Sequence, residues 1–319
     1  MTQWALGEDG VAAGRRTASP KQRRPGARGR AARRTGTGWA FVAPATFIVL
    51  GLSIFPAGWA LLLSLEKWNG FSPATFVGLQ NYQALFADPE MWAAVGNTAL
   101  YTVLFVPASI FVGLFLAVAL NRKIRLIGLY RTAIFVPFVA SAAATGILST
   151  YLFSPQFGLV NNVLRVLHLP TQGWLEDQHQ AMLVIALMSL WGSAAFTTVI
   201  YLAALQDVPA ELLESARIDG AGRWKSFWYV VWPQLGPVTT FSVIWQTIGA
   251  IQLFDLVYTT TRGGPLDSTK TVVYFLWEKA FQTQQFGYGS AVAYVLFFVT
   301  LLITIGVVIY SRRANVEAF

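Results

Sequence analysis

Cysteine is absent from the 319 residues, which excludes disulfide frameworks, thiolate metal sites and thiol redox chemistry. Charge is scarce as well. Charged residues make up 12% of the chain and hydrophobic residues 55%, and the charged share is roughly half that of an ordinary soluble domain. A soluble fold of this length would need far more Lys, Glu, Arg and Asp to cover its core, so the composition describes a membrane protein. Only two histidines occur, His168 and His179, in a loop with Glu176 and Asp177. No tight ligand spacing joins these four, so a solvated cluster is the plainer reading than a metal site. Nor is there a Gly-x4-Gly-Lys-Ser/Thr phosphate cradle, so this chain is not expected to hydrolyse ATP itself.

The net charge of +8 is concentrated at one end. Residues 1–34 carry nine Lys and Arg against Glu8 and Asp9. This segment is rich in Gly, Ala, Pro and Thr and lacks apolar periodicity, so it is expected to be a disordered cytoplasmic tail near anionic lipid rather than a nucleic-acid arm. Residues 35–319 are expected to form the membrane domain.

Six apolar runs follow, at 39–64, 92–120, 132–153, 181–205, 237–256 and 290–310. About 20 helical residues span a hydrocarbon core of about 30 Å, so the expected fold is all-α, a polytopic membrane protein with six transmembrane helices. Counted on alternate sides of these spans, 18 Lys and Arg fall on one side and 5 on the other. The richer side should be cytoplasmic, with both termini inside. Ser141, Ala142, Thr145, Gly146 and Ser149 form a small-residue stripe suited to close helix packing, and Pro44, Pro56, Pro107 and Pro137 should kink or locally unwind their helices.

The cytoplasmic connection 206–236 is too patterned for a simple link. Pro209 followed by Glu211 makes a helix start, and Gly220 offers a stop. A second helix is expected over Trp224, Phe227, Trp228 and Val231, closed by Pro233. Glu214-Ser215-Ala216 and Gly220, then nine residues, then Val230, Trp232 and Pro233 resemble the cytoplasmic signature of binding-protein-dependent ABC transporter permeases. That signature runs Glu-Ala-Ala, three residues, Gly, nine residues, Ile-x-Leu-Pro. Ser215, Val230 and Trp232 depart from it. Phe76-Val77-Gly78-Leu79-Gln80-Asn81-Tyr82, Asn97-Thr98 and Thr261-Arg262-Gly263-Gly264-Pro265 are similar to the carbohydrate subgroup that includes maltose and glycerol-3-phosphate permeases.

The resemblance implies a type I ABC importer permease fold in a bacterial inner membrane. It implies that Glu211, Glu214, Ser215, Ala216, Asp219 and Gly220 meet a separate ATPase subunit, and that Gly263, Gly264 and Pro265 meet an extracytoplasmic solute-binding protein. The implied partners are a second homologous permease subunit, giving a heterodimer, and two ATPase subunits holding ATP-Mg, with a carbohydrate as cargo. No cofactor is expected on this chain. For the pathway, Phe241, Trp245, Ile248, Gln252 and Asp255 fall on one face of a continuous fifth helix. Trp245 and Gln252 are the expected solute contacts on the substrate pathway, since sugars combine apolar ring faces with hydroxyls, and Asp255, near the outer end of the span, is expected to be an outer-vestibule residue of that pathway or a structural acid. The main alternative is an ion-coupled secondary transporter of a small polar solute.

Overall fold

The computed structural model describes residues 42–122 and 125–313. The expected basic tail, with residues 35–41, Lys123, Ile124 and 314–319, lies outside these described residues. The chain divides into two compact units, residues 1–57 and 58–319. In the first, the described residues open helix α1 (Val42–Ser64). Its π-helical turn, Leu50–Ile54, directly precedes Phe55 and Pro56. Pro56 has no N–H for the preceding turn, and a widened turn accommodates its ring. The helix ends at Ser64.

In the second unit, two short antiparallel strands, β1 (Glu66–Lys67) and β2 (Thr75–Phe76), pair Glu66 with Phe76 and Lys67 with Thr75. They lead into α2 (Gln80–Ala87). The longest helix, α3 (Pro89–Leu120), starts for local reasons. The Asp88 carboxylate accepts the Glu90 N–H at 2.9 Å, Pro89 occupies the first turn, and Glu90 faces the positive end of the dipole. Pro107 lies inside α3 without ending it.

The third apolar run is two helices rather than one. Helices α4 (Ile127–Val139) and α5 (Ala142–Leu152) meet at a bend of 100°. Pro137 weakens the last turn of α4, the Ala140 N–H bonds back to the Pro137 carbonyl, and the Ser141 hydroxyl caps the new helix by accepting the Ala144 N–H at 3.2 Å. Helix α6 (Leu159–Val166) lies in the following loop, and α7 (Ala181–Asp207) is the fourth span.

Helix α8 (Ala210–Ile218) and α9 (Arg223–Ser226) make up the connection, with a π turn, Phe227–Val231, continuing α9. The fifth span is also interrupted. Helix α10 (Gly236–Ile251) stops, Gln252, Leu253 and Phe254 leave helical geometry, and α11 (Asp255–Thr259) resumes. Helix α12 (Val272–Trp277) precedes the last span, α13 (Phe286–Arg313). Among the described residues, five helical stretches are long and apolar enough to cross a membrane, or six when α4 and α5 count as one span.

Small residues set the closest contacts. A Cβ on Gly113 of α3 would run into Thr197 of α7, and one on Gly146 of α5 would run into Thr259 of α11. The backbones therefore approach closely where the apolar surroundings supply little drive of their own. Tyr101, Phe105, Ile185, Met188, Ala250 and Val257 form the main core around these contacts.

Candidate functional site

The two helix breaks meet. The α4–α5 bend, the α10–α11 break and the middle of α7 enclose a cavity of about 330 Å³, to which Phe138, Thr145, Ser189, Ser193, Gln252 and Asp255 contribute. Gln252 caps the end of α10 and Asp255 is the first residue of α11; both are exposed. This corrects the expected continuous face. Because α10 ends at Ile251, Gln252 and Asp255 reach the cavity from the break, while Phe241, Trp245 and Ile248 lie outside its lining.

Trp245 belongs instead to an aromatic run that leaves the cavity. Phe138 lies 6.2 Å from Phe196, Phe196 lies 5.2 Å from Trp245, and Trp245 lies 6.1 Å from Phe241, all between ring centroids. Sequence reasoning missed Phe138, Ser189, Ser193 and Phe196. The spacing of Ser189 and Ser193, one turn apart within the apolar first half of the helix, was an available signal. Hydroxyls, an amide and a carboxylate beside ring faces can bind a polar solute that also has an apolar face.

The connection between α7 and α10 forms the second candidate region. Pro209 precedes α8, Glu211 lies in its first turn, and no residue of α8 is buried. Its end is a Schellman motif: Gly220 has φ +78°, the Ala221 N–H donates to the Ala216 carbonyl at 2.8 Å, and the Gly220 N–H donates to the Arg217 carbonyl at 3.0 Å. Glu211, Glu214, Ser215, Asp219 and Gly220 are exposed and Ala216 is half-buried. Among the described residues Glu214 forms no ion pair. A cavity of about 640 Å³ separates α8 and α9 from the ends of the spans at Val118 and Leu205. Trp224, Trp228 and Trp232 form a ladder at 5.7 and 5.6 Å. Trp232, one of the departures from the signature, packs with Val231 against the buried trio Ala117, Tyr201 and Leu235.

The third region is the loop from Thr261 to Thr271. Gly263 has φ +86° and is buried, and a Cβ there would sit tightly, 3.1 Å from the Tyr274 ring. Gly264 and Pro265 are half-buried, and Leu266, which sequence reasoning missed, is 87% exposed. Motif residues elsewhere hold this loop. The Asn97 amide donates to the carbonyls of Asp267 at 2.7 Å and Lys270 at 3.0 Å, and the Thr98 hydroxyl accepts the Val272 N–H at 3.0 Å. Asn81 similarly donates to the carbonyls of Ser64 and Glu66. The Lys270 ammonium pairs with Asp267 at 3.1 Å and Glu278 at 2.9 Å. Burial lowers its pKa, but the hydrogen bonds and charges of Glu278 and Asp267 outweigh that and hold it above the usual lysine value.

An exposed capped helix between the fourth and fifth spans thus accompanies a cavity at two helix breaks and a braced loop between the fifth and last spans. The family model for the inner membrane component of binding-protein-dependent transport systems matches residues 106–316. The chain belongs to this family. It is a multi-pass inner membrane permease subunit of an ABC transporter. It is 37% identical over 265 residues to the lactose transport system permease protein LacF of Rhizobium radiobacter, covering 81% of this chain and 88% of LacF. It is 35% identical over 270 residues to the probable ABC transporter permease protein YurN of Bacillus subtilis, covering 83% and 92%. A chain in the crystal structure of a bacterial alginate ABC transporter, in complex with an alginate pentasaccharide-bound periplasmic protein, superposes with a TM-score of 0.80 at 19% identity, covering 90% of this chain and 98% of that one. The permease fold is shared at that distance.

Proposed function

We propose that this permease subunit imports a carbohydrate handed over by an extracytoplasmic solute-binding protein. It would pair with a second, homologous permease subunit and two ATPase subunits that hold ATP-Mg, binding no cofactor itself. Residues 1–34 serve as a basic cytoplasmic tail, residues 35–319 form the membrane domain, and both termini face the cytoplasm. The observation that carries this reading is α8, an exposed acidic helix closed by a left-handed glycine and standing off the bundle across a cavity. A partner can grip such a helix and move it as a unit. Glu211, Glu214, Ser215, Ala216, Asp219 and Gly220 form the gripped surface, and ATPase closure on ATP draws it inward. Differential contacts in the two states then switch the pathway between inward and outward openings.

The cavity at the helix breaks takes the solute, with Gln252 and Asp255 meeting hydroxyls and Trp245 offering ring surface along the aromatic run that leaves it. LacF supports a carbohydrate as cargo. Gly263, Gly264 and Pro265 shape the loop that meets the binding protein, with Leu266 as its exposed tip. The test is uptake into proteoliposomes holding the complete transporter. Uptake should require ATP and the binding protein and should survive an ionophore; collapse with the ion gradient would identify a secondary transporter instead.

A further inference from the structure

A separate cavity opens where α3 and α4 are joined. It measures about 540 Å³ and is lined by Leu120, Asn121, Arg122, Arg125, Ile127, Arg131 and Gln206. Its charge has one sign. Among the described residues no carboxylate lines it, and none of the three arginines belongs to an ion pair. The nearest acid along α7, Asp207, is exposed and outside the lining. All three arginines are exposed, so water screens part of their mutual repulsion. A bound anion would offset the rest.

The chemistry narrows the anion. Guanidinium forks match pairs of phosphate oxygens, and the amides of Asn121 and Gln206 add neutral donors. The location narrows it further, because α3 and α7 are membrane spans that end at this level. Leu126, Leu129 and Tyr130, at the start of α4, are 73%, 65% and 53% exposed. That apolar surface suits acyl chains and gives nothing to a free phosphate. We propose that this cavity binds the phosphate headgroup of an anionic phospholipid of the phosphatidylglycerol type, whose chains run along the start of α4.

The test uses the complete transporter, stripped of lipid in mild detergent and offered phosphatidylglycerol or phosphatidylethanolamine, with retained lipid measured by native mass spectrometry. Phosphatidylglycerol should be preferred. Each arginine near a membrane surface is worth roughly a fivefold change in binding, so R131Q should lower the preference about fivefold and the combined R122Q, R125Q and R131Q variant about a hundredfold. R131K keeps the charge but loses the guanidinium fork, and should retain part of the preference, more than R131Q. Equal retention of the two lipids by the unmodified transporter, or an unchanged preference in R131Q, overturns the proposal. Displacement of the lipid by millimolar inorganic phosphate also overturns it, since the site would then read phosphate alone.

Discussion

Replacing Gly220 with alanine isolates a backbone effect at the end of α8. Gly220 has φ +78°, and a Cβ built there meets nothing within 4 Å among the described residues beyond its chain neighbours, so no clash with them contributes. What remains is the left-handed conformation, which disfavours an L-residue by about 1–2 kcal/mol. At about 1.4 kcal/mol per tenfold, the closed Schellman end loses roughly 5- to 30-fold in population relative to frayed forms. Because α8 has no buried residue, the Tm of the purified transporter should hardly change. Binding-protein-stimulated ATP hydrolysis in proteoliposomes should fall severalfold. Asparagine visits this conformation more readily than alanine, so G220N should recover part of what G220A loses although it is larger. Full stimulated hydrolysis in G220A would refute the reasoning, as would G220N performing worse than G220A.

Other consequences are local. Gly113→Val pushes a side chain into Thr197 across the α3–α7 contact, and overpacking of this kind costs about 1–3 kcal/mol; a lower Tm of the purified complex checks it. Thr271→Val removes the hydroxyl that donates to the Leu253 carbonyl at 2.7 Å; basal ATP hydrolysis should persist while its stimulation by the binding protein drops. Lys270→Met strands Asp267 and Glu278 and should lower the Tm at neutral pH. Since the Lys270 pKa is raised on folding, its contribution is complete below the unfolded lysine value of about 10.4 and is lost as pH rises through the higher folded value. The Tm difference between the wild type and K270M should accordingly stay constant from neutral pH up to about pH 10 and shrink above it.

Much of the architecture was legible because its signals are local. The apolar runs show where spans lie, and Pro209, Glu211 and Gly220 mark both ends of α8 by chemistry that acts within one turn. Pro137 signalled trouble in the third run, but the 100° bend also depends on the Ser141 cap and on Gly146 meeting Thr259 of α11. The break after Ile251 was not legible. Ile251, Gln252, Leu253 and Phe254 include no proline or glycine, and a helical wheel runs through them without interruption. Tertiary forces stop the helix there: Leu253, Leu256 and Val257 are drawn into the core, and the Thr271 hydroxyl takes up the Leu253 carbonyl. The aromatic run was hidden for a related reason, since Phe138, Phe196 and Trp245 lie on three different helices.

A break inside a membrane span frees backbone groups that lipid cannot satisfy, so irregular backbone there must be buried in protein or border a wet cavity. Both broken spans of this permease meet that requirement at the same place, and each break helps to wall the cavity that the other needs. The loop from Thr261 to Thr271 is tied into the same arrangement, because Thr271 holds the carbonyl of Leu253 while Asn97 and Thr98 fix that loop to α3. A displacement of the loop by a docked protein therefore has a short covalent and hydrogen-bonded route to the α10–α11 break. At the other end α10 begins beside Leu235, which packs with Tyr201 and Ala117 just beyond α9. On the proposed import cycle the fifth span, interrupted next to the cavity, would be loaded from both ends, so that a contact at one side and a pull at the other would act on the proposed solute site.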